Sequence, residues 1–247
     1  MTRVELKQEA KKQLHGNWLW AAGVVAIVFI ISSLISSSGI FTANIDFNDI
    51  SKWLLDLLLE FILMIFVSFL TESYAITFLN LRDGKKDGVI KSAFSVFAAN
   101  LFVPELLNYL MQIIFELLWT LLLIIPGAIK GYSYALTPYI VKDMADSGKK
   151  VSFTAGITAS KELMRGHKWE LFVLDLSFWG WYILLFGCGI LIGYLFGLII
   201  NLNSYYPVVY SITGNLFMGL GGLVLAPYVQ TTKANFYRNL AGEQFSK

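Results

Sequence analysis

The chain has 247 residues, 56% of them hydrophobic and only 15% charged, with a formal net charge of +2. Soluble domains carry about 25% charged residues; a mean hydropathy of +0.63, with the apolar residues in long blocks, excludes an ordinary water-soluble domain. The blocks lack the alternation of an outer-membrane barrel, so the spans are helices, and the lone Cys188 excludes an internal disulfide framework or a cysteine metal site.

The first element is a basic amphipathic helix. Leu6, Ala10 and Leu14 share one face, with Glu5, Lys7, Glu9, Lys11 and Lys12 around it. It stops at His15-Gly16, as a glycine C-cap would, and Trp18 opens an apolar run to Ser38. A basic region, an apolar stretch and Ser36-Ser37-Ser38-Gly39 imitate a signal peptide. The stretch is long for one and further spans follow, so it reads as an uncleaved first span.

The second span is expected at about Trp53–Leu79. Asp56 and Glu60 lie one turn apart on a face that continues with apolar Leu63, Met64 and Val67. The span closes with Ser73-Tyr74-Ala75-Ile76-Thr77 and empties into the basic loop Arg82-Asp83-Gly84-Lys85-Lys86. A second amphipathic segment follows, with Ile90, Ala93, Phe94, Phe97, Ala98 and Leu101 at helical spacing.

The third span is expected at about Leu101–Ile125, with Glu116 the deepest carboxylate of the chain. Pro126-Gly127 either turns the chain or kinks one helix. A shorter fourth span, about Ala128–Val141, carries Lys130 and repeats the earlier stretch as Ser133-Tyr134-Ala135-Leu136-Thr137, again ahead of a basic loop, Lys142-Asp143 to Lys149-Lys150.

A third amphipathic segment places Phe153, Ile157, Ser160 and Met164 on one face, with Lys161, Arg165 and Lys168 at its basic end. Its close, Gly166-His167-Lys168-Trp169, mirrors His15-Gly16-Asn17-Trp18. The fifth span, about Leu171–Ile199, holds Asp175 and the stripe Gly189, Gly193, Gly197, a spacing that lets helices approach closely. The facing helix belongs either to a second copy or to the sixth span, where Gly219, Gly221 and Gly222 lie. That span, about Gly214–Thr232, contains Leu225-Ala226-Pro227-Tyr228-Val229, a fainter copy of Leu136-Thr137-Pro138-Tyr139-Ile140, just ahead of Lys233.

Charge bias orients the spans, since Lys and Arg in short loops stay cytoplasmic. With a turn at Pro126-Gly127, one side collects all of the 19 basic residues except Lys52 and Lys130. The expected fold is therefore an all-α integral membrane protein with six transmembrane helices. These form three hairpin repeats (about 1–87, 88–150 and 151–247 of one membrane domain), each preceded by an amphipathic helix at the cytoplasmic interface. Both termini are expected in the cytoplasm.

Ionisable groups inside spans cost about 2.5–3.5 kcal/mol each on insertion scales, which makes Asp56, Glu60, Glu116 and Asp175 candidate ligand or pathway residues. Hydrogen-bonded structural carboxylates would read identically. Lys130 either snorkels to the outer interface or pairs with Glu116 or another carboxylate. Lys11, Lys12, His15, Lys161, Arg165, His167 and Lys168 are candidates for contact with anionic headgroups, attracted by about 1 kcal/mol per basic residue. Bracing of the bundle is the plainer alternative. His15 and His167 each flank a capping glycine, with no acid or thiol cluster to complete a metal site.

Glu5-Leu6-Lys7, Ala10-Lys11, Leu14 to Trp18 and Ile125-Pro126-Gly127-Ala128-Ile129-Lys130-Gly131-Tyr132-Ser133-Tyr134 together resemble a bacterial integral membrane family. It is catalogued as domain of unknown function 975 and is common in Gram-positive bacteria. Gly166-His167-Lys168-Trp169, Leu174-Asp175-Leu176-Ser177-Phe178 and Ala234-Asn235-Phe236-Tyr237 fit it too, so the resemblance covers nearly the whole chain. The family is loosely similar to the membrane domains of some glycerophosphodiester phosphodiesterases. The resemblance implies a multi-spanning membrane protein and supplies no activity and no catalytic residue.

No phosphate-cradling loop, HExxH, GxSxG or cysteine-metal spacing is present, and no cofactor or metal is expected. The basic residues are accounted for by topology, so no nucleic-acid partner is implied. The expected function is that of a non-enzymatic multi-pass protein of the cell membrane that binds or organises anionic lipid, a partner membrane protein or a second copy of itself. The alternative is a small transporter or permease with its carboxylates along a pathway between the hairpins.

Overall fold

A computed structural model describes residues 1–37, 50–199, 206–242 and 244–245. Every regular element among them is a helix. α1 (Arg3–Leu14) starts from a reciprocal cap: the Thr2 hydroxyl accepts from the Glu5 amide, and the Glu5 carboxylate accepts from the Thr2 amide. It ends at Gly16, whose φ of 77° is left-handed, and α2 (Trp18–Ser37) follows at once. α3 (Ile50–Arg82) is one continuous helix of 33 residues. Then come α4 (Val89–Ala93), a 3₁₀ turn at Ser95–Phe97, α5 (Phe102–Leu122), α6 (Ile124–Tyr134), α7 (Thr137–Asp146) and α8 (Ala155–Leu163). Two long helices complete the chain, α9 (Lys168–Ile199) and α10 (Tyr206–Ala241).

Among the described residues, four helices are long and apolar enough to cross a membrane: Trp18–Ile35, Leu54–Arg82, Phe102–Leu122 and Lys168–Leu195. They match the first, second, third and fifth expected spans closely; the expected end of the first at Ser38 lies outside the described residues. Between 11% and 22% of the residues in these windows are buried by protein, so their apolar side chains face outward, as helices in lipid do.

Two expectations differ. The fourth span is two short helices, because Leu136 leaves helical geometry and Pro138 opens α7 at its first turn. Proline has no amide to bond back, and the Thr137 hydroxyl instead closes the break by donating to the Tyr134 carbonyl at 2.7 Å. The stripe from Ile90 to Leu101 is also interrupted, at Phe94, where φ is −111°. Ser92 and Ser95 turn there to bond α3, and Ile90 is left 71% exposed.

Pro126-Gly127 sits inside the first turn of α6, and the chain reverses just before it, at Leu123, whose φ and ψ of −161° and 142° are extended. α5 and α6 then run antiparallel. Gly127 lies against Thr120, and Gly131 lies near Glu116. The tip of this hairpin is a run of bare apolar residues, from Leu121 at 74% exposed to Ile125 at 74%.

The packed core lies at the charged end of the molecule. It joins Leu6 of α1, Leu79 of α3, Tyr139 and Ile140 of α7, Leu171 and Phe178 of α9, and Phe236 and Tyr237 of α10. Each large apolar side chain buried there stabilises the fold by about 1.5–3 kcal/mol. The two Ser-Tyr-Ala-x-Thr stretches build seats within this layer. The Ser95 hydroxyl donates to the Ser73 carbonyl at 3.1 Å, and the Ser160 hydroxyl donates to the Ser133 carbonyl at 2.9 Å. Each stretch therefore holds the amphipathic segment that follows it. α10 holds α1: the Asn235 amide donates to the Leu6 carbonyl at 3.4 Å and its oxygen accepts from Gln13 at 3.1 Å.

Candidate functional site

Asp83 follows the last residue of α3, Asp143 lies on α7 and Arg238 lies near the end of α10. Between them they form a buried ion cluster. Arg238 donates through Nε to Asp83 Oδ1 at 3.1 Å and through Nη2 to Asp143 Oδ1 at 2.9 Å, and its Nη1 also bonds Asp143. The Arg238 side chain is 7% exposed and that of Asp143 2%. A phenol and a second guanidinium complete the shell: the Tyr237 hydroxyl donates to Asp143 at 2.7 Å, and Arg82 donates to Asp83 at 3.0 Å. The Tyr237 ring stacks on Tyr139 with centroids 5.2 Å apart.

The electrostatics follow from this shell. Burial would raise the Asp83 carboxyl, but hydrogen bonds from Arg238 and Arg82 outweigh it and hold the group below its ordinary range. Burial likewise opposes the Arg238 cation, and the two carboxylates overcome it. Tyr237 is pushed up, first by burial and then by Asp143. A half-open cavity of about 700 Å³ lies over the cluster, with Lys85, Lys142 and Asp146 on its wall. Lys142 is tied to Asp146 at 2.9 Å. Two arginines and two aspartates neutralise one another here, and the cluster ties the end of α3 to α7 and α10.

The carboxylates expected within spans do not converge on one point. Asp175 is ion-paired with Lys233 of α10 at 3.0 Å. Asp56 and Glu60 lie half-buried on the N-terminal half of α3. Glu116 accepts a hydrogen bond from Gln112 at 3.0 Å. Lys130 sits with its ammonium 4.2 Å from the centre of the Trp119 ring, within electrostatic reach of Lys161 and Lys168. No ion pair among the described residues joins it to Glu116. Gly189 and Gly193 are buried on α9, the closest partner of α10, and Gly221 of α10 packs on Leu185 of α9. The surroundings of Gly197 lie outside the described residues.

The interfacial residues fall into two matching groups. Lys11, Lys12 and His15 are exposed around Leu14, which is fully buried. Lys161 and Arg165 are exposed around Met164, which is also fully buried. Residue by residue, exposure follows the same order from Lys11 to Leu19 as from Lys161 to Trp169. Gly16 and Gly166 both adopt positive φ, 77° and 87°. His167 bonds Glu170 at 3.1 Å, and Lys168 is half-buried beside it. Lys12 pairs with Glu9 at 3.6 Å, and Lys11 lies 5.6 Å from the Tyr228 ring centre. Among the described residues no group of three or more His, Cys, Asp or Glu is placed to hold a metal.

Sequence reasoning missed the ion cluster. The signal was present in part, because Arg82-Asp83 and Lys142-Asp143 stand at the same offset from the two Ser-Tyr-Ala-x-Thr stretches.

A family model described as "Protein of unknown function (DUF975)" matches residues 1–130 and 120–244 of the chain. No curated protein and no solved structure matches it.

Proposed function

The chain belongs to this DUF975 family of unknown function, and from that premise we propose a multi-pass protein of the cell membrane that binds and organises anionic lipid. In this reading six crossings form three hairpin repeats, both termini are cytoplasmic, and the amphipathic segments lie at the inner headgroup level. The observation that carries it is the paired geometry of Lys11–Leu19 and Lys161–Trp169. Each group fixes itself by one fully buried side chain, Leu14 or Met164, and leaves its cations outward. Each then turns at a left-handed glycine straight into a long apolar helix. With lipid around those helices, the cations fall where anionic headgroups are, and each contributes about 1 kcal/mol of attraction.

Reversing three of these charges in Lys161→Glu, Arg165→Glu and Lys168→Glu is expected to weaken anionic-lipid retention by on the order of a hundred-fold. The measurement is the lipid content of protein purified from mixed bilayers. Unchanged retention overturns the reading. Unchanged retention together with loss of one specific bound membrane protein would assign the surface to that partner instead.

A further inference from the structure

The cavity over the ion cluster is walled by charged side chains and one glycine, with no apolar side chain among them. Three of the lining residues are aspartates and four are lysines or arginines. What the wall offers a ligand depends on which of their atoms are already spent.

The carboxylate oxygens are all spent. Asp83 accepts from Arg238 through both oxygens, at 3.1 and 3.2 Å, and from Arg82 at 3.0 Å. Asp143 accepts from Arg238 through Oδ1 at 2.9 Å and from Tyr237 through Oδ2 at 2.7 Å. Asp146 accepts from the Asn100 amide through Oδ1 at 3.3 Å and meets Lys142 through Oδ2 at 2.9 Å.

The donors are not. Arg238 is fully used, each guanidinium nitrogen holding a carboxylate. The Lys142 side chain is only 4% exposed, and among the described residues Asp146 is its one ion-pair partner. An ammonium has three N–H donors, so a buried cation on this wall has donors to spare. Arg82 reaches Asp83 through Nη1, and its Nε–H is buried without a partner. Lys85 is exposed and makes no ion pair among the described residues. Arg82-Asp83 and Lys142-Asp143 are the matching pairs that follow the two Ser-Tyr-Ala-x-Thr stretches. In each pair Arg238 takes the acid and the base keeps unspent donors.

A wall with its acceptors filled and donors left over disfavours a metal cation and suits an oxyanion. Buried donors without partners cost free energy, which an anion in the cavity would recover. Phosphate oxygens accept several charge-assisted hydrogen bonds at once from ammonium and guanidinium groups. The volume of about 700 Å³ lies within the range of about 300–1,000 Å³ usual for small-molecule sites. An acyl chain would find no apolar surface there, which favours a water-soluble source of the phosphate over a lipid.

We propose that this cavity binds the phosphate group of a water-soluble small molecule, held by Lys142 and Lys85 with Arg82 beside them. The site is separate from the outward cations of Lys11–Leu19 and Lys161–Trp169, so either reading can fail without the other.

Calorimetric titration of inorganic phosphate into the full chain in neutral detergent, at fixed ionic strength, tests it. Saturable binding of one phosphate per chain is expected. Lys142→Gln should weaken it by about ten-fold, and Lys85→Glu, which sets a like charge against the anion, by about ten-fold as well. The combined variant Lys161→Glu, Arg165→Glu and Lys168→Glu should bind phosphate as wild type does. Glycerol phosphate should displace the bound phosphate, and short-chain phosphatidylglycerol should not. The reverse order would assign the cavity to a lipid headgroup and overturn the soluble source. Absence of saturable binding overturns the proposal, as does binding indifferent to both Lys142→Gln and Lys85→Glu. If Lys142→Gln does not fold, Lys85→Glu at its exposed position decides alone.

Discussion

Arg238→Met is expected to destabilise the protein by about 3–5 kcal/mol, the cost of removing one partner from a buried ion cluster. Arg238 satisfies Asp83 and Asp143 at once, so its loss leaves two carboxylates in a region where Asp143 is 2% exposed. Methionine preserves most of the volume and isolates the charge. Thermal unfolding in detergent should fall by on the order of 10 °C for a chain of this size. The sign of the pH dependence is also set. The Asp83 carboxyl is held below its ordinary range by hydrogen bonds from Arg238 and Arg82, against the upward push of burial. A group lowered on folding contributes stability above its unfolded value, about 3.9 for aspartate, and loses it as pH falls through the lower folded value. Wild type should therefore weaken on acidification below about pH 4, and Arg238→Met should lose much of that acid-sensitive increment. A melting temperature within a degree or two of wild type would remove the cluster from any role in stability. Replacing all three residues by apolar ones of similar volume should recover much of the loss, since such substitutions are often neutral or stabilising.

The second large effect is expected from adding a single methyl group. Gly127→Ala would place a Cβ 2.4 Å from Thr120 Oγ1 and 2.9 Å from Thr120 Cα. A hydroxyl can rotate away, whereas a backbone atom moves only if α5 and α6 separate. Alanine in a helix is favoured over glycine by about 0.8–1.0 kcal/mol, but overpacking costs about 1–3 kcal/mol, so the net change is destabilising. Gly131→Ala is the internal control. Its Cβ would meet only Glu116 Oε1, at 4.0 Å, so helix propensity should prevail and stability should hold or rise by up to about 1 kcal/mol. The comparison is a pair of thermal unfolding curves. Equal behaviour of the two variants would mean that the hairpin is not closed at Gly127.

The long apolar helices could be read from the sequence because blocks of about 20 apolar residues leave few alternatives in a membrane. Trp18, Trp53 and Leu101 mark the starts of α2, α3 and α5 to within a few residues. The third amphipathic segment was legible in part: Ile157, Ser160 and Met164 are buried as expected, whereas Phe153 lies ahead of α8 and is 61% exposed. The break in the fourth span was readable too, in Thr137-Pro138, but hydropathy outvoted it. Pairing across helices was not readable. Nothing in the local sequence of Asp175 announces Lys233, and nothing near Asp83 announces Arg238. The candidate carboxylates were ranked by depth, one at a time, which favoured Glu116. Glu105, 1% exposed, is not among those candidates, because its burial arises from tertiary packing that no one-dimensional pattern records.

The seat of α1 on α10 has a consequence for biogenesis. The Leu6 carbonyl and the Asn235 amide that bond each other are 229 positions apart. A ribosome delivers Leu6, Ala10 and Leu14 first and α10 last, so until α10 is made the apolar face of α1 has only the part of its seat that α3 supplies through Phe78, Leu79 and Leu81. Loop-closure entropy rises only slowly with separation, so the contact is feasible at equilibrium, yet non-local contacts form late. Docking of α1 on α10 is therefore the closing step of assembly, made by a helix already seated in part on α3.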